Sequence, residues 1–114
     1  MIGSLNRAAI YSTLAAEPDL QELVTLFVAE IPKRITTIET SFSNQDKESL
    51  IRAAHQLKGA AGSYGFDQLT EPAKAVEDNA RDGVPEEELR ESIDVLVALC
   101  RRLRAGTPGI FDHK

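Results

Sequence analysis

The feature that most constrains this chain is a run of apolar residues spaced by three and four: Leu20, Leu23, Phe27, Ile31, Ile35, Ile38 and Phe42. Such spacing returns to one side of an α-helix at every turn, so it predicts a long amphipathic helix with one buried stripe. Pro18 and Asp19 stand just ahead of it. Proline suits the first helical position, and the acid suits the positive end of the helix dipole. Pro32 falls inside the stripe and removes one backbone hydrogen bond. Because the spacing continues on both sides of it, a kink is expected there rather than a stop.

The rest of the chain repeats the pattern in shorter pieces, with no alternating run that reads as a strand. Ser4 can cap a short first helix with Leu5, Ala8, Ala9 and Leu14 as its apolar positions. Asn44 to Asp46 break the chain, and Asp46 can cap a third helix that buries Leu50, Ala53, Ala54, Leu57, Ala61 and Tyr64. Gly65 ends it. A fourth helix starts at Asp67 or Thr70, with Pro72 favouring the later start, and turns Leu69, Ala73, Val76 and Ala80 inward. Gly83 is a natural terminator. Pro85 with Glu86, Glu87 and Glu88 opens a fifth helix, which buries Leu89, Ile93, Leu96, Cys100 and Leu103. That helix ends in Arg101, Arg102 and Arg104. The expected fold is therefore all-α: an antiparallel up-down four-helix bundle with a short extra N-terminal helix capping one end. Residues 1–106 form one domain in this reading, and residues 107–114 a flexible tail.

A chain of 114 residues is long enough to bury a single core without a metal or disulfide staple. Its net charge of -5 argues against nucleic acid and against an anionic lipid surface as partners. No apolar run approaches the roughly 20 residues of a membrane span, and no signal peptide opens the chain, so a cytoplasmic location is expected. The single cysteine, Cys100, cannot form an internal disulfide and falls on an inward face. His55 and His113 are distant in sequence and give no metal-ligand spacing. His113 sits beside Asp112 in the tail and reads as solvated or disordered.

The informative stretch is His55-Gln56-Leu57-Lys58-Gly59-Ala60-Ala61-Gly62-Ser63-Tyr64-Gly65. On a helical wheel with Leu50 at zero, His55 falls at about 140°, Gly59 at about 180°, Gly62 at about 120° and Lys58 at about 80°. The histidine thus points away from the core, on a stripe shared with two glycines and a lysine. Exposure alone fits a histidine that is merely solvated. The glycines change the balance, since each costs roughly 0.8–1 kcal/mol against alanine in a helix interior, and alanine stands between them at Ala60 and Ala61. At i+4 and i+7 from His55 they leave the imidazole on bare backbone, where another folded surface can approach. Lys58 adds a positive charge within reach of an anion on the ring. An open, cation-flanked imidazole suits reversible phosphoryl acceptance. Ile51, at about 100° on the same wheel, is an exposed branched residue one turn before His55 and a candidate for partner docking.

The segment His55-Gln56-Leu57-Lys58-Gly59, preceded by Ala53-Ala54 and followed by Gly65, resembles the motif of the histidine phosphotransfer (HPt) domain family of two-component phosphorelays. The resemblance extends over about residues 18 to 104, including the later Ala75-Val76-Glu77-Asp78-Asn79-Ala80-Arg81-Asp82-Gly83. It implies phosphoryl transfer between His55 and the aspartates of response-regulator receiver domains, with Lys58 supporting the charge and Gly59 keeping the surface open. It further implies a carrier with no ATP-binding kinase domain and no cofactor of its own, the Mg²⁺ of the reaction being supplied by the receiver. A monomer serving receivers and a hybrid sensor kinase is expected. A start at Met1 with a helix cap close behind fits a free-standing protein. The alternatives are a phosphotransfer segment of a hybrid or chemotaxis-type sensor kinase, and a helical adaptor without chemistry.

Overall fold

A computed structural model describes residues 8–107. Four α-helices carry the fold: α1 Gln21–Ser43, α2 Lys47–Ser63, α3 Thr70–Asp82 and α4 Glu86–Cys100. Short 3-10 turns at Pro18–Leu20 and Asp67–Leu69 lead into α1 and α3. Two short strands, β1 Ile10–Tyr11 and β2 Leu103–Arg104, pair in parallel with Ile10 opposite Leu103.

Local chemistry explains the boundaries. Asp46 caps α2, its carboxylate accepting from the Ser49 backbone N–H at 3.2 Å and from the Ser49 hydroxyl at 2.7 Å, which satisfies one of the free donors of the first turn. Pro72 stands in the first turn of α3, where its missing N–H has no partner to lose. Gly83 ends α3 in the left-handed conformation, φ 68° and ψ 37°, which favours glycine. Pro32 is exposed within α1, and the helix runs through it.

The buried residues form one core, with Phe66, Ile38, Leu57, Leu69, Ile93 and Leu96 among its largest enclosed side chains. Phe27 of α1 stacks on Tyr64 and Phe66, ring centroids 5.3 and 5.5 Å apart, so the N-terminal half of α1 lies against the C-terminal end of α2. Arg90 clasps α4 to α1 by a bidentate pair with Glu39, 2.9 Å at each nitrogen, and its guanidinium covers the Phe42 ring. The most extensive helix pair is α2 with α3. Both bury alanines on their inward faces, Ala54 and Ala61 on one and Ala73 and Ala80 on the other. Small side chains let two helices approach closely.

The structure corrects three expectations. From Ala8 to Leu14 there is no helix: Ile10 and Ser12 are buried at alternate positions and Ile10 N–H donates to the Arg102 carbonyl at 2.8 Å. Ser4 and Leu5 lie outside the described residues, as do Pro108 to Lys114 and therefore His113. The segment is held as a strap instead. The Ser12 hydroxyl donates to the Tyr64 carbonyl at 2.6 Å, and Thr13 N–H donates to the Gly65 carbonyl at 2.9 Å. Gly65 has φ 83°, and a β-carbon there would collide with the Ser12 hydroxyl. In α1, Val24 is buried and Leu23 is 43 % exposed, so the buried stripe is rotated by one residue at that end. Helix α4 stops at Cys100, and Leu103 reaches the core from β2. Cys100 is buried as expected, and burial pushes its thiol up to about 12.

Candidate functional site

His55 stands in the middle of α2 with 63 % of its side chain exposed. Nothing lies within 4 Å of the position a β-carbon would take at Gly59 or at Gly62. Neither glycine is therefore required by helix packing, and together they leave the helix backbone bare beside the imidazole. Ile51 is half-buried and packs against the core, a correction to its expected exposure. Its free side lines a shallow groove of about 480 Å³ with Glu48, Arg52, His55 and Arg81.

The residue that organises the site is Glu77 of α3, which the sequence reading left without a role. Its side chain is 3 % exposed, and three basic side chains converge on it, His55 and Lys58 by hydrogen bonds and Arg81 as an ion pair. His55 Nδ1 lies 3.0 Å from Oε2, Lys58 Nζ 2.9 Å from Oε1, and Arg81 Nη1 2.9 Å from Oε2. The alanine-lined approach of α3 to α2 brings this carboxylate to the histidine. The Lys58 ammonium holds the Glu77 carboxyl below the usual glutamate range, with the hydrogen bond from His55 adding to the effect and burial opposing it. Glu77 is thus a carboxylate at neutral pH and can only accept hydrogen bonds.

That fixes the tautomer of the neutral imidazole. The ring proton sits on Nδ1, facing Glu77, and Nε2 keeps its lone pair on the exposed side. Lys58, expected as an exposed charge beside the ring, donates to Glu77 and is 26 % exposed. A signal for Glu77 was present in the sequence. It lies four residues after Ala73 and three before Ala80, both inward, so the wheel places a charge on the buried arc.

The site is thus a largely exposed histidine, hydrogen-bonded from behind by a buried carboxylate, beside a groove between two helices. The Hpt domain model matches residues 22–106, and the chain belongs to the Hpt domain family, the phosphotransfer module of two-component phosphorelays. The chain is similar to the aerobic respiration control sensor protein ArcB of Escherichia coli (strain K12), 28 % identical over 98 residues that cover 77 % of this chain and 13 % of the sensor. It is similar also to the chemotaxis protein CheA of Klebsiella aerogenes, 30 % identical over 94 residues, 82 % of this chain and 13 % of that protein. The chain thus spans a small part of the length of these relatives. No solved structure matches it. Among the described residues no cluster of His, Cys, Asp and Glu could hold a metal ion, and no helix is long and apolar enough to cross a membrane.

Proposed function

We propose that this chain carries a phosphoryl group on Nε2 of His55, taking it from the phosphoaspartate of one response-regulator receiver domain and giving it to another in a multistep phosphorelay. The observation that carries this reading is the hydrogen bond between Nδ1 and Glu77 on a largely exposed imidazole, with bare backbone at Gly59 and Gly62 beside it. The Nε2 lone pair forms the N–P bond as the acyl phosphate O–P bond breaks, and the aspartate leaves as carboxylate. The ring gains positive charge in that step, and the Glu77 carboxylate against Nδ1 offsets it. In the return direction the same charged ring is the leaving group. Lys58 fixes Glu77 and adds positive potential. Gly59 and Gly62 keep the approach clear, and Ile51 contributes apolar surface for docking.

In this reading the module is an up-down antiparallel bundle acting as a cytoplasmic monomer. It has no kinase activity or cofactor of its own, and the receiver brings the Mg²⁺. A second reading is favoured by the 13 % of each relative that the chain covers: the same chemistry within a longer sensor or chemotaxis-type kinase. Incubation with phosphorylated receivers tests both against a plain helical adaptor. Acid-labile, base-stable label on the wild type, absent from His55→Gln, is the expected result. An unlabelled wild type leaves the adaptor.

A further inference from the structure

We propose that Arg52 and Arg81 form a seat for the phosphoryl group on His55, in the groove between α2 and α3; this rests on the reading of His55 as the acceptor and assigns the charge support within it. A phosphoryl group brings close to two negative charges at neutral pH into a chain whose net charge is already -5. Cations must therefore be local. The Lys58 ammonium donates to Glu77 Oε1 on the inner side of the site, and Lys58 does not line the groove. Two guanidiniums do.

Arg81 touches Glu77 through one terminal nitrogen and is 56 % exposed. It shares the Oε2 atom with His55 Nδ1, at 2.9 and 3.0 Å, so Nη1 and Nδ1 lie within about 6 Å of each other. The remaining N–H groups of its five-donor fork are free to turn to a second anion. Arg52 stands one helical turn before His55, at the i−3 position on a neighbouring face. It makes no hydrogen bond or ion pair among the described residues, only a longer-range attraction to Asp46. Planar guanidinium forks match phosphate oxygens in pairs, which an ammonium does not. Glu48 is the one acid lining the groove. It lies two turns from His55, about 10 Å along the helix, so it disfavours an anion at the far end and leaves the His55 end positive.

The test uses the full chain and phosphoramidate, whose N–P bond breaks as Nε2–P forms and ammonia leaves. Arginine side-chain N–H resonances are recorded before and after labelling and assigned with Arg52→Ala and Arg81→Ala. Those of Arg52 and Arg81 should shift and exchange more slowly once His55 is labelled, while Arg90, bound to Glu39, should not move. Labelling should slow about three- to fivefold in Arg52→Ala, the range of an exposed ion pair, and lose most of its salt dependence. Arg81→Lys keeps a cation for Glu77 but not the fork, so it should slow labelling without loosening the site. Unmoved arginine resonances with wild-type rates in both variants would overturn the seat and leave phosphotransfer standing. So would a rate loss confined to Lys58→Ala. A wild type that takes no label at His55 overturns the phosphotransfer reading itself, and the seat with it.

Discussion

His55 Nδ1 and Glu77 Oε2 meet at 3.0 Å across the seam between α2 and α3, one side chain largely in solvent and the other almost wholly out of it. The pairing joins an exposed reactive atom to a buried fixed charge. Orientation and tautomer of the imidazole are therefore set from inside the protein, while its other nitrogen stays open to a partner.

Replacing the histidine should separate chemistry from stability. His55→Gln is expected to abolish phosphoryl acceptance and to lower unfolding free energy by about 1 kcal/mol or less, the bond to the buried Glu77 being the one interaction at stake. Label transfer from a receiver and urea denaturation check the two halves. A large loss of stability would make His55 structural.

The Glu77 cluster should be visible in the pH dependence of stability. Because the folded carboxyl is held below its ordinary value of 4.5, its stabilising effect is complete above that pH and is lost as pH falls toward the folded value. Glu77→Gln should be less stable by about 1–2 kcal/mol at pH 7, from lost charge-assisted hydrogen bonds, and should show a shallower decline on acidification. Lys58→Ala should move the wild-type decline to higher pH, since it removes the largest cause of the shift. Denaturation midpoints between pH 7 and pH 3 measure both.

Gly59 sets stability against function. With nothing within 4 Å of a β-carbon at this position, Gly59→Ala should stabilise the fold by about 1 kcal/mol. Gly59→Leu should melt no lower than wild type yet accept phosphoryl groups from a receiver far more slowly, because its side chain lies at i+4 from His55. Labelling by phosphoramidate, a much smaller donor, should be less affected. Equal receiver-dependent rates in Gly59→Leu and wild type would remove the steric role.

Arg90 should behave in the opposite way. It bridges α4 to α1 through Glu39, covers Phe42 and pairs with Asp94, all away from His55. Arg90→Ala is expected to lower stability by about 1 kcal/mol, the pair being partly exposed, and to leave the phosphoramidate labelling rate of His55 unchanged.

Much of this molecule was legible in the sequence because local chemistry decides it. The Asp46 cap, the left-handed Gly83, the early Pro72 and the inward Ala73, Val76 and Ala80 each depend on residues a turn or two away. The β1–β2 pair was not legible. Two residues carry no periodic signal, and the partner of Ile10 lies at Leu103, at the opposite end of the chain. Leu23 and Val24 were exchanged because a three- or four-residue spacing tolerates either until the neighbouring helices set the angle of the stripe. Of the site, His55, Gly59 and Gly62 were legible as an outward face of one helix. Glu77 and Arg81 come from another helix, and a charge reads as outward until packing is known.

The parallel register of β1 and β2 gives the fold a mechanical property. The chain enters β1 from one direction and leaves β2 in the other, so tension between residues 8 and 107 pulls the strands along their length in opposite senses. Their hydrogen bonds are then loaded together in shear, and cannot open one at a time like a zip. The Ser12 and Thr13 bonds to the turn after α2 lie on the same load path. A tug on the ends therefore meets this clamp before it reaches the helix that carries His55.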